Sequence, residues 1–321
     1  MQTRLFRICW LFQLALSASA CRPPPPGQND GQGHFTYTFE DQVYRVAAEE
    51  GAEAENLSET LGGGGVDRLL TQSASGDWMT LSAERFECSG ECLVRMSWDL
   101  ESGEAVLAGG AEVYVSGVSA ITDDGNTVIY PAQDGPHEVD LFVTVRSADG
   151  WSTPTVLTTD STYNYNNMPA LSFDGDSVVF DCGTEPYPES GGNDACRVNL
   201  DGTGFAKVIG PDALPDPRNN YVQNPHEGPE GLYFESSWPI EGETPETIWM
   251  LPNGSATPVP LGGFDNAVAP CALPDGRIGM LWLGGNDDGR HELVVADADG
   301  SNVVELTPGI DVSDIGLGCG G

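Results

Sequence analysis

The chain has 321 residues, 13 of them basic and 49 acidic, giving a formal net charge of −36. A field this negative repels phosphate backbones and anionic headgroups, which excludes nucleic-acid binding and electrostatic docking on an acidic membrane. With 39% hydrophobic residues, 41 glycines and 23 prolines, the composition supports a folded core built from many short strands and tight turns.

Residues 1–20 read as an export signal. Arg4 and Arg7 precede a short apolar run, 8–16, broken once by Gln13, and Ala18-Ser19-Ala20 supplies small residues for cleavage. The run is too short for a stable transmembrane helix, and no later stretch reaches 18 apolar residues. Ala18-Ser19-Ala20-Cys21 resembles a bacterial lipobox, which implies a lipid on Cys21 after cleavage. Ala18 stands where that motif usually has Leu, so plain secretion is the alternative. Residues 21–33 form a Pro-rich, then Gly-rich tether. The expected address is the bacterial cell envelope, as a periplasmic or outer-membrane lipoprotein touching the membrane only through its N-terminal lipid. A single domain is expected over 34–321.

Strand-forming runs then follow in order. The first set is 35–39, 43–46 and a stretch near 57–61. A second, weaker set is 69–73, 78–83, 93–98 and 105–108. Four clearer units begin at 119, 169, 225 and 270, each with four short β-prone runs. An Asp-Gly turn joins the first two runs at Asp124-Gly125, Asp174-Gly175 and Asp275-Gly276, with Glu230-Gly231 in its place once; Gly accepts the positive φ such turns require. The period is roughly 50 residues, in the propeller range. One four-stranded unit cannot bury both of its faces, so the units must stack around an axis and close. The expected fold is all-β, a six-bladed β-propeller of four-stranded blades, with a strand from 311–319 completing the first blade.

Pro169-Ala-Leu-Ser-Phe-Asp-Gly175, Pro270-Cys-Ala-Leu-Pro-Asp-Gly276, and Asp297-Ala-Asp-Gly300 followed by Leu306-Thr-Pro308 resemble the TolB-type propeller repeat. The likeness covers most of the chain after residue 66. It implies the fold and leaves function open. The N-terminal domain found in members of that family has no counterpart here, so a role in the Tol envelope machinery is not expected.

The repeat also places the six cysteines that follow Cys21. Cys88 and Cys182 end second strands, and Cys92 and Cys196 begin third strands, which predicts Cys88–Cys92 and Cys182–Cys196 bonds. Cys271 and Cys319 fall on innermost strands of neighbouring blades, where a bond would lock the ring. Structural zinc is not expected, because the pairs lack a CxxC spacing and the four histidines are scattered.

No Gly-x-Ser-x-Gly elbow, phosphate loop, dinucleotide fingerprint or His-Glu-x-x-His occurs. Polar residues that could line the channel are His226, Asn224, Asn167, Asn266, Asp265, Asp314 and Asp67. Of these, His226 could bind a metal or move a proton. Hydrogen bonding within the wall, and capping of turns by the Asn and Asp residues, are the simpler roles. His137-Glu138 and His291-Glu292 match one another but belong to distant blades. Asp287-Asp288-Gly289 and Asp297-Ala298-Asp299-Gly300 look like fragments of calcium loops yet read as turns. Trp151 and Trp238 are the tryptophans that could be exposed for recognition. The sequence therefore leads to a monomeric, non-enzymatic envelope scaffold that needs no cofactor. Its expected partner is another envelope protein or a small ligand at the channel mouth. The alternative is a Ca- or Mn-dependent hydrolase or lyase acting on a sugar or lactone in the channel.

Overall fold

The computed structural model describes residues 33–62, 65–86, 90–106, 118–133, 135–184, 193–215, 221–237, 246–283, 290–313 and 316–321. Six antiparallel sheets stand around a central axis as a six-bladed β-propeller. Going from the axis outward, blade one is Gly318–Gly320, His34–Phe39, Gln42–Ala47 and Glu55–Asn56. Blade two is Asp67–Gln72, Trp78–Ala83, Cys92–Ser97 and Gly103–Ala105. Blade three is Ala120–Ile121, Thr127–Ala132, Asp140–Ser147 and Thr155–Val156, with Gly150–Trp151 as an added short strand. Blade four is Tyr165–Leu171, Ser177–Gly183, Asp194–Asn199 and Ala206–Ile209. Blade five is Gln223–Gly228, Gly231–Ser237, Glu246–Pro252 and Val259–Pro260. Blade six is Ala267–Ala272, Ile278–Trp282, Glu292–Ala296 and Val304–Glu305.

The second strand of blade four shows why the sequence folds this way. All of Ser177–Gly183 is buried, because both faces of a blade are covered by neighbours. Alternation sends Val178, Phe180 and Cys182 toward blade three, where they pack with Ile129 and Leu141. Val179 points the other way and packs with Phe234 and Trp249 of blade five. The other four blade interfaces repeat the pattern, each with its own apolar cluster. At about 25 cal/mol per Å² of apolar surface removed from water, these interfaces dominate the stability of the ring.

The Asp-Gly turns form as the sequence predicts. Asp124, Asp174 and Asp275 each accept the backbone N–H two residues on, at 2.9–3.1 Å, and the following glycine has φ between 66° and 94°. The innermost strands of blades four to six share a feature the sequence did not announce. Each carries a β-bulge at a residue with φ near 50°, namely Met168, Asn224 and Ala269.

The C-terminal segment completes blade one as expected, but the strand is only Gly318–Gly320 rather than 311–319, with Thr36 opposite Gly318, Phe35 opposite Cys319 and His34 opposite Gly320. Its alternating glycines are sterically required. A Cβ at Gly316 would strike the carbonyl of Leu69, one at Gly318 would strike Gln72, and one at Gly320 the carbonyl of Ser73. One strand expectation fails. The outer strand of blade one is only Glu55–Asn56, and Leu57–Thr60 is a helical turn. Asn56 caps it by accepting the N–H of Glu59 at 2.9 Å, and Leu57 buries itself against Leu69 and Leu81 of blade two.

Strand direction gives the ring two distinct faces. The turns between first and second strands and between third and fourth strands lie on one, the turn face. Gly33 and the C-terminus also lie there, since His34 opposes Gly320. The connections between second and third strands and between blades lie on the other, the loop face.

Candidate functional site: the central channel

Among the described residues, two cavities border the innermost strands, about 50 Å³ toward the loop face and about 40 Å³ toward the turn face. The first is bordered mainly by apolar groups, including Leu70, Val118, Met168, Pro225 and Leu317. His226 borders both.

His226 is therefore where sequence analysis placed it, on an inner strand facing the channel. Its ring is committed to the wall. Nδ1 accepts the backbone N–H of Ala272 at 3.2 Å, which leaves the imidazole proton on Nε2. That nitrogen lies 3.7 Å from Sγ of Cys271 and 3.9 Å from Sγ of Cys319. Although the ring borders the cavities, it sits deep in the protein, and burial pushes its pKa down to about 4. The imidazole is neutral at physiological pH.

Cys271 and Cys319 are joined in a disulfide, as are Cys182 and Cys196. Cys92 is also disulfide-bonded, and its expected partner Cys88 lies outside the described residues. His226, Cys271 and Cys319 bring three ligand-type atoms within 4.8 Å of one another. They do not make a metal site in this state. The sulfurs are spent on each other, and the N–H of Ala272 holds Nδ1 as an acceptor, so Nε2 has no lone pair to offer.

The remaining channel candidates do not converge. Asp67 is fully buried and receives Nε and Nη2 of Arg85 at 2.7 and 2.5 Å; it is half of an ion pair between strands. Asn167 turns back to accept the N–H of Met168 at 2.8 Å, supporting the bulge. Asn224 gives its backbone N–H to Asp181. Asp265 and Asn266 are exposed at the start of blade six, and the carbonyl of Asp265 accepts Nε1 of Trp282 at 3.0 Å. Asp314 lies outside the described residues, as do Cys21, Trp238 and 287–289.

The other singled-out motifs are structural too. His137 donates its Nδ1–H to the carboxylate of buried Asp140 at 2.8 Å, while the backbone N–H of His291 goes to Asp311 at 3.0 Å. Asp299 accepts the N–H of Ser301 at 2.9 Å in a turn. Trp151 packs beside Tyr130 and Phe142 rather than standing free.

Sequence analysis missed a buried acidic pair beside the channel, between blades four and five. Asp181 and Glu235 occupy the same place in the second strands of those blades, opposite Asn167 and Gln223. Each accepts the bulge N–H of the next blade, Asp181 from Asn224 and Glu235 from Ala269 at 3.0 Å. Burial, with the nearby Glu235 charge adding to it, drives the Asp181 carboxyl well above the usual carboxylate range. The signal was present: an acid inside an otherwise apolar run, Val-Val-Phe-Asp-Cys and Leu-Tyr-Phe-Glu-Ser.

Known structures share the architecture. TolB from Acinetobacter baumannii superposes with a TM-score of 0.64 at 11% identity, over 91% of this chain and 67% of that one. A protein assigned as TolB from Agrobacterium tumefaciens gives 0.57 at 14% identity, over 88% and 91%. Oligogalacturonate lyase from Vibrio parahaemolyticus gives 0.52 at 12% identity, over 87% and 79%. No family model matches the sequence, and no curated protein matches it. At these identities the likeness establishes the propeller fold alone.

Proposed function

We propose that this protein is a non-enzymatic scaffold of the bacterial cell envelope, tethered through a lipid on Cys21 and presenting its loop face to a protein partner. The observation that carries this reading is the state of the channel. Pockets that hold small organic ligands usually measure about 300–1,000 Å³, whereas the channel cavities are about 50 and 40 Å³. Their one imidazole, His226, is already bound to Ala272 and directed at a disulfide. A channel of this kind favours recognition on the outside of the ring over turnover of a sugar within it.

The tether supports the choice of face. Gly33 lies against Leu273 and Arg277 of blade six, on the turn face, so a lipid on Cys21 would direct that face toward the membrane. Turn hydrogen bonds hold the carboxyls of Asp124, Asp174, Asp201, Asp275 and Asp299 below the usual range, and this ring of charge repels anionic headgroups. The domain then stands off the membrane with its loop face outward. The basic side chains Arg45, Arg68, Arg85, Arg95, Arg146, Arg197, Lys207 and Arg277 are engaged in ion pairs. On the loop face Glu40, Glu138, Asp160, Asp265 and Asp311 are exposed, so a partner with a basic contact surface fits there.

The competing reading, a metal-dependent lyase or hydrolase, draws on the oligogalacturonate lyase likeness. Melting the purified protein with and without Ca²⁺ or Mn²⁺ at fixed ionic strength separates the two. The scaffold reading predicts a melting temperature that follows ionic strength only. A saturable, metal-selective rise that His226→Gln abolishes would replace it with the enzyme reading.

A further inference from the structure

We infer that Cys271–Cys319 is a reducible clasp on the propeller ring, with His226 Nε2–H as the donor that receives the thiolate released when it opens. Three blades meet here. Cys271 belongs to the inner strand of blade six, Cys319 to the C-terminal strand of blade one, and His226 to the inner strand of blade five. Because Ala272 fixes the proton on Nε2, the ring directs a donor at both sulfurs, at 3.7 and 3.9 Å. A neutral disulfide accepts such a bond weakly. A thiolate accepts it strongly, so the contact stabilises the reduced state more than the oxidised one.

Cys182–Cys196 provides the contrast. Both of its cysteines are fully buried among Val178, Phe180 and Leu141. Each bond has a sulfur facing a backbone carbonyl at 3.3 Å, Cys182 that of Asp194 and Cys319 that of Ala272. The carbonyls therefore disfavour a thiolate equally in both, and the His226 N–H beside Cys271–Cys319 is what distinguishes them.

The geometry also assigns the order of events. Cys319 borders the cavity on the turn-face side, together with Ala74, Phe173 and Pro274, while Cys271 borders neither cavity. Both cysteines are buried in the closed ring, so a thiolate from an external dithiol attacks Sγ of Cys319 when the short closing strand opens locally, and the S–S bond breaks. Its electron pair leaves on Sγ of Cys271, which takes the Nε2–H hydrogen bond. The second thiol of the reductant then attacks the mixed disulfide, releasing Cys319 and an oxidised dithiol; the two reductant protons end on the two cysteines. What remains of the closure is non-covalent: the three-residue pairing of Gly318–Gly320 with His34–Thr36, the N–H groups of Ser313 and Gly321 on the carbonyls of Thr38 and Ala74, and the apolar contacts of Val312, so the ring acquires a redox-controlled seam.

The test treats the native full chain with dithiothreitol at neutral pH, alkylates at timed intervals and quantifies each cysteine by peptide mass spectrometry. Cys271–Cys319 is expected to open about tenfold or more faster than Cys182–Cys196. A monothiol should be trapped on Cys319 rather than Cys271. His226→Leu should bring the two rates together, and His226→Gln, which keeps an N–H donor, should restore part of the difference. Equal rates in the wild-type protein, or trapping on Cys271, would overturn the inference without reference to any variant. So would an unchanged rate ratio in a His226→Leu protein whose oxidised form melts like wild type.

Discussion

Individual side chains set the acid and base limits of this fold. Asp181 is buried with its Oδ1 unpartnered, and its folded pKa lies well above that of the unfolded chain. The stability it contributes is full below the unfolded value near 4 and is lost as pH rises through the folded value. Asp181→Asn should therefore raise the melting temperature by a few degrees at pH 7 and leave it unchanged near pH 3, in a pH series of thermal melts. His226 has the opposite sign. Burial holds its folded pKa at about 4, below the ordinary value of 6.5, so its contribution is full above about pH 6.5 and is lost as pH falls toward 4. Asp67 and Arg85 provide a third case. Arg85→Leu leaves a fully buried carboxylate without its cation and should cost about 3–5 kcal/mol in urea denaturation. A loss below about 1 kcal/mol would contradict the ion pair as the partner that Asp67 depends on.

At the level of elements, the closing strand is where sequence and packing meet most tightly. Gly318 has no room for a side chain between Thr36 and Gln72. Gly318→Val should lower stability by about 1–3 kcal/mol and speed amide exchange in His34–Phe39 above all other strands. Uniform exchange across the blades would show that the strand does not carry the closure. This element also marks what the sequence makes legible. The Asp-Gly turns and alternating apolar runs reveal the blades because both follow from local chemistry. The cysteine positions reveal the Cys182–Cys196 and Cys271–Cys319 bonds because the repeat fixes which strands are neighbours. The bulges at Met168, Asn224 and Ala269 are not legible, since non-glycine residues adopt positive φ there only under tertiary support from acids such as Asp181 and Glu235. The same bulges explain why Asn167 and Asn224 look like channel ligands in the sequence and serve the wall in the fold. The turn at Leu57–Thr60 is missed for a similar reason: its apolar residues suit a strand, and the Asn56 cap decides otherwise.

For the whole molecule, the position of the tether and the state of the channel govern the account. In the proposed reading, a lipid on Cys21 and a chain entering beside Leu273 and Arg277 would orient the ring, and the small size of the two described cavities favours the rim and loop face for recognition. The most direct measurement is site-specific photo-crosslinking in the native envelope, with the probe at Asp160 on the loop face or at Asp299 on the turn face, both exposed positions. The account predicts a discrete protein adduct from Asp160, weakened by raised salt, and none from Asp299. An adduct from Asp299 alone, with Asp160 silent, would contradict it and turn the working face of the propeller toward the membrane.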